Sequence, residues 1–363
     1  MVLSGGGTGG HVYPALAVAS ALRRELGEGE ELDLLYIGTR GRAEDELVAR
    51  AGVPFRAVRA GALRVGAPWA MARGLFNLVL GTVQALRILG RVKPQVVFAT
   101  GGYASVPVAV AAWRRRLPLV VCLPDVRPGW AVRLLARLAS KVTATTEASL
   151  PHLPAAKTAV TGYPVRDAFF EARKEEGRRR LGLDAERKTL LVSGATQGAR
   201  SINQAIAGNL PRLLKLCQII HIAGTADAEW LRQVERRLPE ELRTNYHLHA
   251  YLHEEMAWAM AAADLVVMRS GASALGELPA VGLPAVLVPY PYAGGHQLWN
   301  ARHLVEQGAA VLLEDDRLPH LFSTVHPLLV DDARREAMAA AMRRLARPEA
   351  ARDIARLLIE AAA

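Results

Sequence analysis

Three glycine-rich turns carry most of the chemistry this sequence can offer. The first is Ser4-Gly5-Gly6-Gly7-Thr8-Gly9-Gly10-His11, set between the apolar pair Val2–Leu3 and a helical stretch, Tyr13–Leu26. Bare backbone amides opening a helix N-terminus form a nest for a phosphate or pyrophosphate. Gly5, Gly7 and Gly10 also match the G-x-G-x-x-G spacing of a dinucleotide site. Such a site needs a carboxylate at the tip of the second strand to hold the ribose. Here the run LDLLYI ends in Gly38-Thr39-Arg40, which disfavours a nicotinamide nucleotide. His11 follows the glycines at the helix entrance, and an imidazole titrating near neutrality can take a proton there.

The second turn, Gly194-Ala195-Thr196-Gln197-Gly198-Ala199-Arg200, again joins a strand to a helix. It offers a second anion nest, or a tight turn with no ligand. The third, Arg269-Ser270-Gly271-Ala272-Ser273, follows the apolar run LVVM and opens a helix with Glu277 about two turns in. A carboxylate facing a ligand there accepts both hydroxyls of a ribose; otherwise it is a solvated helix carboxylate. Gln297 and Asn300 are spaced i, i+3 and share one helical face, as recognition of sugar hydroxyls requires. No D-x-D and no clustered His or Cys supplies a metal site, and no G-x-S-x-G elbow points to a covalent nucleophile.

These turns need strands and helices to position them. Short apolar runs recur at 32–37, 95–99 and 117–123, and again at 189–193 (TLLVS), 218–223, 265–268 and 285–288. Helical stretches such as Ser201–Leu214 lie between them. Buried parallel strands read this way, so the fold class is α/β, with two doubly wound halves each opened by strand, glycine loop and helix. The terminal stretch Pro348–Ala363 is amphipathic and has no evident place in the second sheet.

A chain of 363 residues, 51% hydrophobic and 22% charged, is long enough for two globular domains. Two cysteines, Cys122 and Cys217, exclude a disulfide framework. The opening MVLSGGGTGG has no basic n-region or apolar h-region, so no signal peptide is expected, and no charge-free run of about 18 apolar residues predicts a membrane span. The net charge is +10, and residues 47–146 hold 15 Lys or Arg against a single acid, Asp125. That asymmetry asks for an anionic partner: nucleic acid, an acidic lipid surface or a phosphorylated substrate. The segment Ala62–Arg91 mixes Trp69, Phe76, Leu78, Val79 and Leu80 with Arg64, Arg73, Arg87 and Arg91. It can lie on an anionic bilayer, or form a core helix with a solvated arginine face.

The segments SGGGTGGH, Gly101-Gly102-Tyr103, Gly162-Tyr163-Pro164-Val165-Arg166, GATQGARSIN, RSGAS with its following Gly-Glu, GLPAVLVPYP and HQLWNA occur in a definite order. In that order and rough spacing the chain resembles, over nearly its whole length, the MurG family of undecaprenyl-diphospho-muramoylpentapeptide N-acetylglucosaminyltransferases, which make lipid II. The resemblance implies a GT-B fold, with two Rossmann-like doubly wound parallel-sheet domains facing across a cleft. It implies an acceptor- and membrane-facing domain over 1–162, joined by a C-terminal helix at about 346–363, and a UDP-sugar domain over 163–345. The implied reaction is inverting, metal-independent and cofactor-free. It moves N-acetylglucosamine from UDP-N-acetylglucosamine to the 4-hydroxyl of the muramoyl sugar of lipid I, in peptidoglycan synthesis. The implied partners are UDP-N-acetylglucosamine, an undecaprenyl-linked acceptor and an anionic membrane surface at the cytoplasmic face of the cell membrane, with no nucleic acid.

By the same resemblance Arg166 meets the donor diphosphate. Thr196 stands where the family has a Ser, beside Gln197, and Asn203 lies near the donor. Ser270, Gly271 and Ala272 form the donor loop, Glu277 binds the ribose, Leu252 packs on the uracil, and Gln297 and Asn300 read the donor sugar. His11 is the catalytic histidine of the acceptor side, with Thr8, Gly9, Gly10, Gly102 and Tyr103 forming the acceptor and diphosphate loops. One segment departs from the pattern. Where the family has His-Glu-Gln-Asn, this chain has Cys122-Leu123-Pro124-Asp125. Asp125, a lone carboxylate among cations, stays ionised and suits an electrostatic orienter better than a strong base. The departure keeps two alternatives open: a transferase with another lipid or glycoside acceptor, and a nucleotide-sugar-binding homologue without turnover.

Overall fold

A computed structural model of the chain describes every residue except 7–8, 27–31, 42, 62–67, 195–197 and 293–294. It divides into two units, Met1–Arg166 with Arg347–Ala363, and Asp167–Ala346. The break falls four residues beyond the 162/163 boundary read from the sequence.

The first unit runs β1 (Val2–Ser4), α1 (Gly9–Glu25), β2 (Leu35–Gly38), α2 (Ala43–Arg50), β3 (Phe55–Ala57), α3 (Pro68–Val92), β4 (Val97–Ala99), α4 (Ser105–Arg114), β5 (Leu119–Leu123), α5 (Trp130–Leu138), β6 (Lys141–Ala144) and β7 (Thr158–Val160). Its seven strands are parallel and ordered β3-β2-β1-β4-β5-β6-β7. Because β1 neighbours both β2 and β4, the strand order reverses there. In open α/β sheets ligands sit outside the carboxyl ends of the strands at that reversal.

The second unit runs α6 (Ala168–Glu171), α7 (Lys174–Arg180), β8 (Thr189–Ser193), α8 (Arg200–Leu214), β9 (Gln218–Ile222), α9 (Ala228–Arg236), α10 (Glu240–Arg243), β10 (Tyr246–His249), α11 (Glu255–Ala262), β11 (Leu265–Met268), α12 (Ala274–Val281), β12 (Ala285–Leu287), α13 (His296–Glu306), β13 (Ala310–Leu312), α14 (Leu321–Val330) and α15 (Asp332–Arg344). Its six parallel strands are ordered β10-β9-β8-β11-β12-β13, with the reversal between β8 and β11.

The last helix, α16 (Ala350–Ala362), belongs to the first unit. Its apolar stripe, Ala351, Ile354, Ala355 and Leu358, enters the core formed by Val12, Val18 and Leu22 of α1. This is where the amphipathic tail that had no place in the second sheet goes. Arg352 and Arg356 pair with Glu25 at the end of α1 and hold that carboxyl below its usual range.

Several strands escaped the sequence reading: β3, β7, β10 and β13, which are the four sheet edges, and β6, beside an edge. Of these edges β3, β7 and β10 carry polar residues and lack the continuous apolar run that marks a buried strand, whereas β13 lies in one, residues 309–313. The helix α1 starts at Gly9, four residues before the expected Tyr13. The helix α12 starts at Ala274, so Glu277 lies in its first turn rather than two turns in. Among the described residues Met71–Val92 is long and apolar enough to cross a membrane, with mean hydropathy 1.3. The sequence reading found no such run because Arg73, Arg87 and Arg91 interrupt it.

Candidate active site

In the first unit the reversal point gathers the loop after β1 and the loop after β4. Thr100 N donates to Ser4 O at 2.9 Å, and Thr100 Oγ1 donates to His11 O at 2.5 Å. Ser105 Oγ donates to Gly101 O at 2.6 Å. Gly102 has a φ of +79°, and a Cβ there would lie 2.2 Å from Gly6 O. Backbone meets backbone at this point, so no other residue fits. Below the loop Tyr36 Oη donates to Gly5 O at 2.8 Å, and the fully buried Glu44 accepts from Thr39 N at 3.1 Å and from Thr39 Oγ1. Burial, reinforced by the Glu44 charge, pushes the Tyr36 hydroxyl well up, so it remains a donor.

His11 lies in the first turn of α1, half-buried, with Nδ1 2.8 Å from Thr100 O. A carbonyl only accepts, so in the neutral ring Nδ1 carries the hydrogen and Nε2 keeps a lone pair. That tautomer is the one a general base needs. The orienting partner of Nδ1 is thus a main-chain carbonyl and not the carboxylate of Asp125. Asp125 stands half-buried just past β5, the strand beside β4. Cys122, on β5, has its thiol pushed up to about 11, chiefly by burial, and stays neutral.

Gly9 and Gly10 form the first helical residues, and Pro14 sits one turn on. A proline in a helix removes the bond to the carbonyl four residues earlier, here Gly10 O. Tyr163 Oη donates to that carbonyl at 3.2 Å. The G-Y-P-V-R segment is therefore tied to the first glycine loop, a link the sequence reading missed because the partners lie 153 residues apart. From the same segment the Arg166 guanidinium stacks 4.3 Å over the Tyr13 ring. Tyr103 is exposed and its ring lies 5.9 Å from that of Trp130. Thr8 lies outside the described residues.

The second unit repeats the plan. Gly194 and Gly198 flank the loop after β8; its Thr196 and Gln197 lie outside the described residues. A Cβ on Gly198, whose φ is +76°, would lie 2.6 Å from Ala223 O. After β11, Ser270 Oγ donates to Gln297 O at 2.8 Å, and Asn300 Nδ2 donates to Ser270 O at 3.1 Å. Ser270, Gln297 and Asn300 are thus held together, α13 locked to the β11 loop. Gln297 Oε1 accepts from Tyr290 N at 2.9 Å, and Asn300 is fully buried. Gly271 faces open space, with nothing within 4 Å of a Cβ, whereas Ala272 and Glu277 are buried. Glu277 is therefore not a solvated helix carboxylate. Leu252 is buried in the loop after β10. Beside them the buried Arg269 donates to Val288 O and Pro289 O at 3.2 Å and to Ser201 Oγ at 2.8 Å, and pairs with Asp315, pinning the ends of β11 and β12 to α8. Among the described residues no group of three or more His, Cys, Asp or Glu could hold a metal ion.

The model of the glycosyltransferase family 28 N-terminal domain matches residues 1–144, and that of the family 28 C-terminal domain matches 189–357. A UDP-N-acetylglucosamine–N-acetylmuramyl-(pentapeptide) pyrophosphoryl-undecaprenol N-acetylglucosamine transferase of Roseiflexus sp. (strain RS-1) is 44% identical, over 98% of this chain and 93% of its own length. The chain belongs to this family. It is a hexosyltransferase. A transferase of the same description from Desulforudis audaxviator is 38% identical over 96% of the chain and 95% of its own length. The fold is that of MurG from Acinetobacter baumannii, with TM-score 0.71, 24% identity and 99% of each chain covered. It is shared by a UDP-GlcNAc 2-epimerase from Neisseria meningitidis bound to UDP-GlcNAc, with TM-score 0.67, 15% identity and 99% of each chain covered.

In this glycosyltransferase one expected donor residue has its side chain engaged within the protein. Asn203 is fully buried on α8, donating to Ala223 O at 2.8 Å and Asp227 Oδ2 at 2.7 Å. Its Oδ1 lies 3.0 Å from His221 Nε2, and His221 Nδ1 lies 2.8 Å from Tyr246 Oη. Because the Asn203 amide nitrogen already donates twice, its oxygen must accept, which fixes the proton of His221 on Nε2. Burial, only partly opposed by the Asp227 charge, pulls His221 down to about 3, so the ring is neutral. Asn203 thus fastens α8 to β9 through its amide. Its expected position near the donor came from the family resemblance.

Proposed function

We propose that this glycosyltransferase moves N-acetylglucosamine from UDP-N-acetylglucosamine to the muramoyl 4-hydroxyl of undecaprenyl-diphospho-muramoylpentapeptide, lipid I, and so forms lipid II. The observation that carries the reading is the 44% identity, across 98% of the chain, to a transferase described by that donor and that acceptor. In the reaction His11 Nε2 takes the hydroxyl proton as the acceptor oxygen attacks C1 of the donor sugar. The bond from C1 to the β-phosphate oxygen breaks, UDP leaves, and the anomeric centre inverts. Thr8, Gly9, Gly10, Gly102 and Tyr103 hold the acceptor diphosphate side, and Asp125 orients the acceptor. Arg166 and the amides of the loop carrying Thr196 and Gln197 neutralise charge on the leaving diphosphate. Glu277 accepts the ribose hydroxyls, Leu252 packs on uracil, and Ser270, Gly271 and Ala272 bring bare backbone to the donor. Gln297 reads the donor sugar, and Asn300 and Asn203 act through the elements they fasten.

The enzyme would work at the cytoplasmic face of the membrane as a peripheral protein. The support is α3. Leu78, Ala85 and Leu89 on one face enter the core of the first unit, while Leu75, Phe76, Val79 and Val83 on the other are exposed, with Trp69 89% exposed. Arg73, Arg87 and Arg91 border that apolar stripe, so the helix suits lying on an anionic surface better than spanning it. The Cys122–Asp125 departure favours a second reading, the same transfer to another lipid or glycoside acceptor. The deciding experiment is turnover of UDP-N-acetylglucosamine against a panel containing a short-chain lipid I analogue and peptide-free lipid glycosides. Turnover of the lipid I analogue upholds the first reading, turnover only of others the second. Tight UDP-sugar binding with no turnover of any acceptor means a binding protein.

A further inference from the structure

The first unit contains a cavity of about 990 Å³ whose Arg40 and Arg59 have no part in the reaction above. Its walls come from the ends of β2 and β3 and from α3. Three guanidinium groups line it: Arg40 just after β2, Arg59 just after β3, and Arg73 near the start of α3. Among the described residues none of the three forms an ion pair, and the only acid between residues 47 and 146 is Asp125. Asn77 and Gln84 add amides to the lining, and Phe76 an apolar ring. The wall is also built to hold its shape. Gln84 Oε1 accepts from Arg59 N at 2.8 Å, and Gly81 lets α3 pass so close that a Cβ would lie 1.8 Å from Arg59 O.

This donor set is matched by carboxylates, which guanidinium forks bind in bidentate, charge-assisted pairs. The volume lies at the upper end of the range of small-ligand pockets, about 300–1,000 Å³. Gly6 and Tyr103 line the same cavity, so it is continuous with the glycine loops beside His11. A sugar presented to His11 would have its substituent within reach of the cavity. The relatives' acceptor carries a pentapeptide on that sugar, and a pentapeptide ends in a carboxylate. Fully extended it spans at most about 18 Å, five residues of ~3.3–3.6 Å each.

We propose that this cavity binds the peptide of the acceptor through its carboxylates, and that Arg40 and Arg59 thereby determine which acceptors are used. The proposal rests on the acceptor assigned above, which it deepens. Its test uses the whole enzyme in solution, without vesicles, and the double variant Arg40→Ser/Arg59→Ser, whose melting temperature is checked against wild type. Two short-chain muramoyl diphosphate acceptors are compared, one with the pentapeptide and one without. For wild type the KM of the peptide acceptor should be at least tenfold lower than that of the peptide-free one. In the variant that difference should vanish, with the KM for the peptide-free acceptor and for UDP-N-acetylglucosamine unchanged. Arg40→Lys/Arg59→Lys should restore part of it. Equal KM values for the two acceptors in wild type, or an equal rise for both in the variant, overturn the proposal, since the arginines would then read the diphosphate or nothing. Calorimetry with free muramoyl-pentapeptide reads the cavity independently of transfer. Should wild type turn over neither acceptor, the transfer reading fails while peptide binding that is lost in the variant upholds the cavity; no binding overturns it.

Discussion

His11 carries its hydrogen on Nδ1 because Thr100 O lies 2.8 Å away, and this leaves Nε2 ready to accept. General-base help is worth about 10²–10⁴ in rate, so His11→Ala should lower kcat by that factor and leave UDP affinity intact. Asp125→Asn should cost less than His11→Ala, since Asp125 does not orient the ring; the reverse order of kcat losses assigns the base to Asp125. On the donor side Gly271 and Glu277 separate space from charge. Gly271→Ala meets nothing within 4 Å in the protein itself, so melting should be unchanged while UDP affinity falls. Glu277→Ala should weaken UDP binding by about 1.5–3 kcal/mol, the range for hydrogen bonds to a charged group. Isothermal calorimetry showing unaltered UDP affinity in both variants would move the donor elsewhere. The buried His221 gives a pH signature. Its ring is pulled down to about 3, whereas an unfolded histidine titrates near ~6.5. Between those values the unfolded chain takes up a proton that the folded chain cannot, so stability falls as pH drops through that window. Thermal melts of His221→Gln should start lower at pH 7 and decline less steeply than wild type down to pH 4.

At the scale of elements, α3 divides its faces between a core and an exposed apolar stripe. Binding to anionic vesicles should fall with added salt, because attraction of about 1 kcal/mol per surface cation is screened beyond a Debye length. Leu75→Asp/Val79→Asp should reduce that binding at unchanged melting temperature, both side chains being already exposed. Equal binding to neutral vesicles, or unchanged binding by the variant in sedimentation, removes α3 from the membrane contact. The inner strands were legible as apolar runs: residues 189–193 and 265–268 became β8 and β11 without adjustment. The edges were not, because a strand such as β10, Tyr-His-Leu-His, has polar residues where solvent reaches it. The helix α12 starts later than read because Ser270 O is taken by Asn300 of α13, while Gly271 O and Ala272 O accept from Ala274 N and Leu275 N in turns that lead into it.

For the molecule as a whole, the two units are not two halves of the sequence. Residues 347–363 belong with the first unit, where Ile354 and Leu358 are buried against α1. Burying an aliphatic side chain is worth about 1.5–3 kcal/mol, so these two together contribute about 3–6 kcal/mol, comparable with the stability of a domain. Deleting 347–363 should therefore abolish the melting transition of the first unit while the second still melts cooperatively; two intact transitions by calorimetry would contradict that packing.

The α/β class, the two repeats of strand, glycine loop and helix, the concentration of basic charge in 47–146 and the family all follow from the sequence alone. The first three depend on local composition and on spacing along the chain, which a linear reading preserves, and the family on the resemblance of its ordered motifs. Tertiary structure alone decided which nitrogen of His11 is free, that Tyr163 satisfies the carbonyl Pro14 leaves open, that Asn203 fastens α8 to β9, and that Arg40, Arg59 and Arg73 share one cavity. Each of these joins residues distant in sequence through a hydrogen bond or a shared wall. Residue type states what a group can donate or accept, and only the folded chain determines which of those capacities is already used.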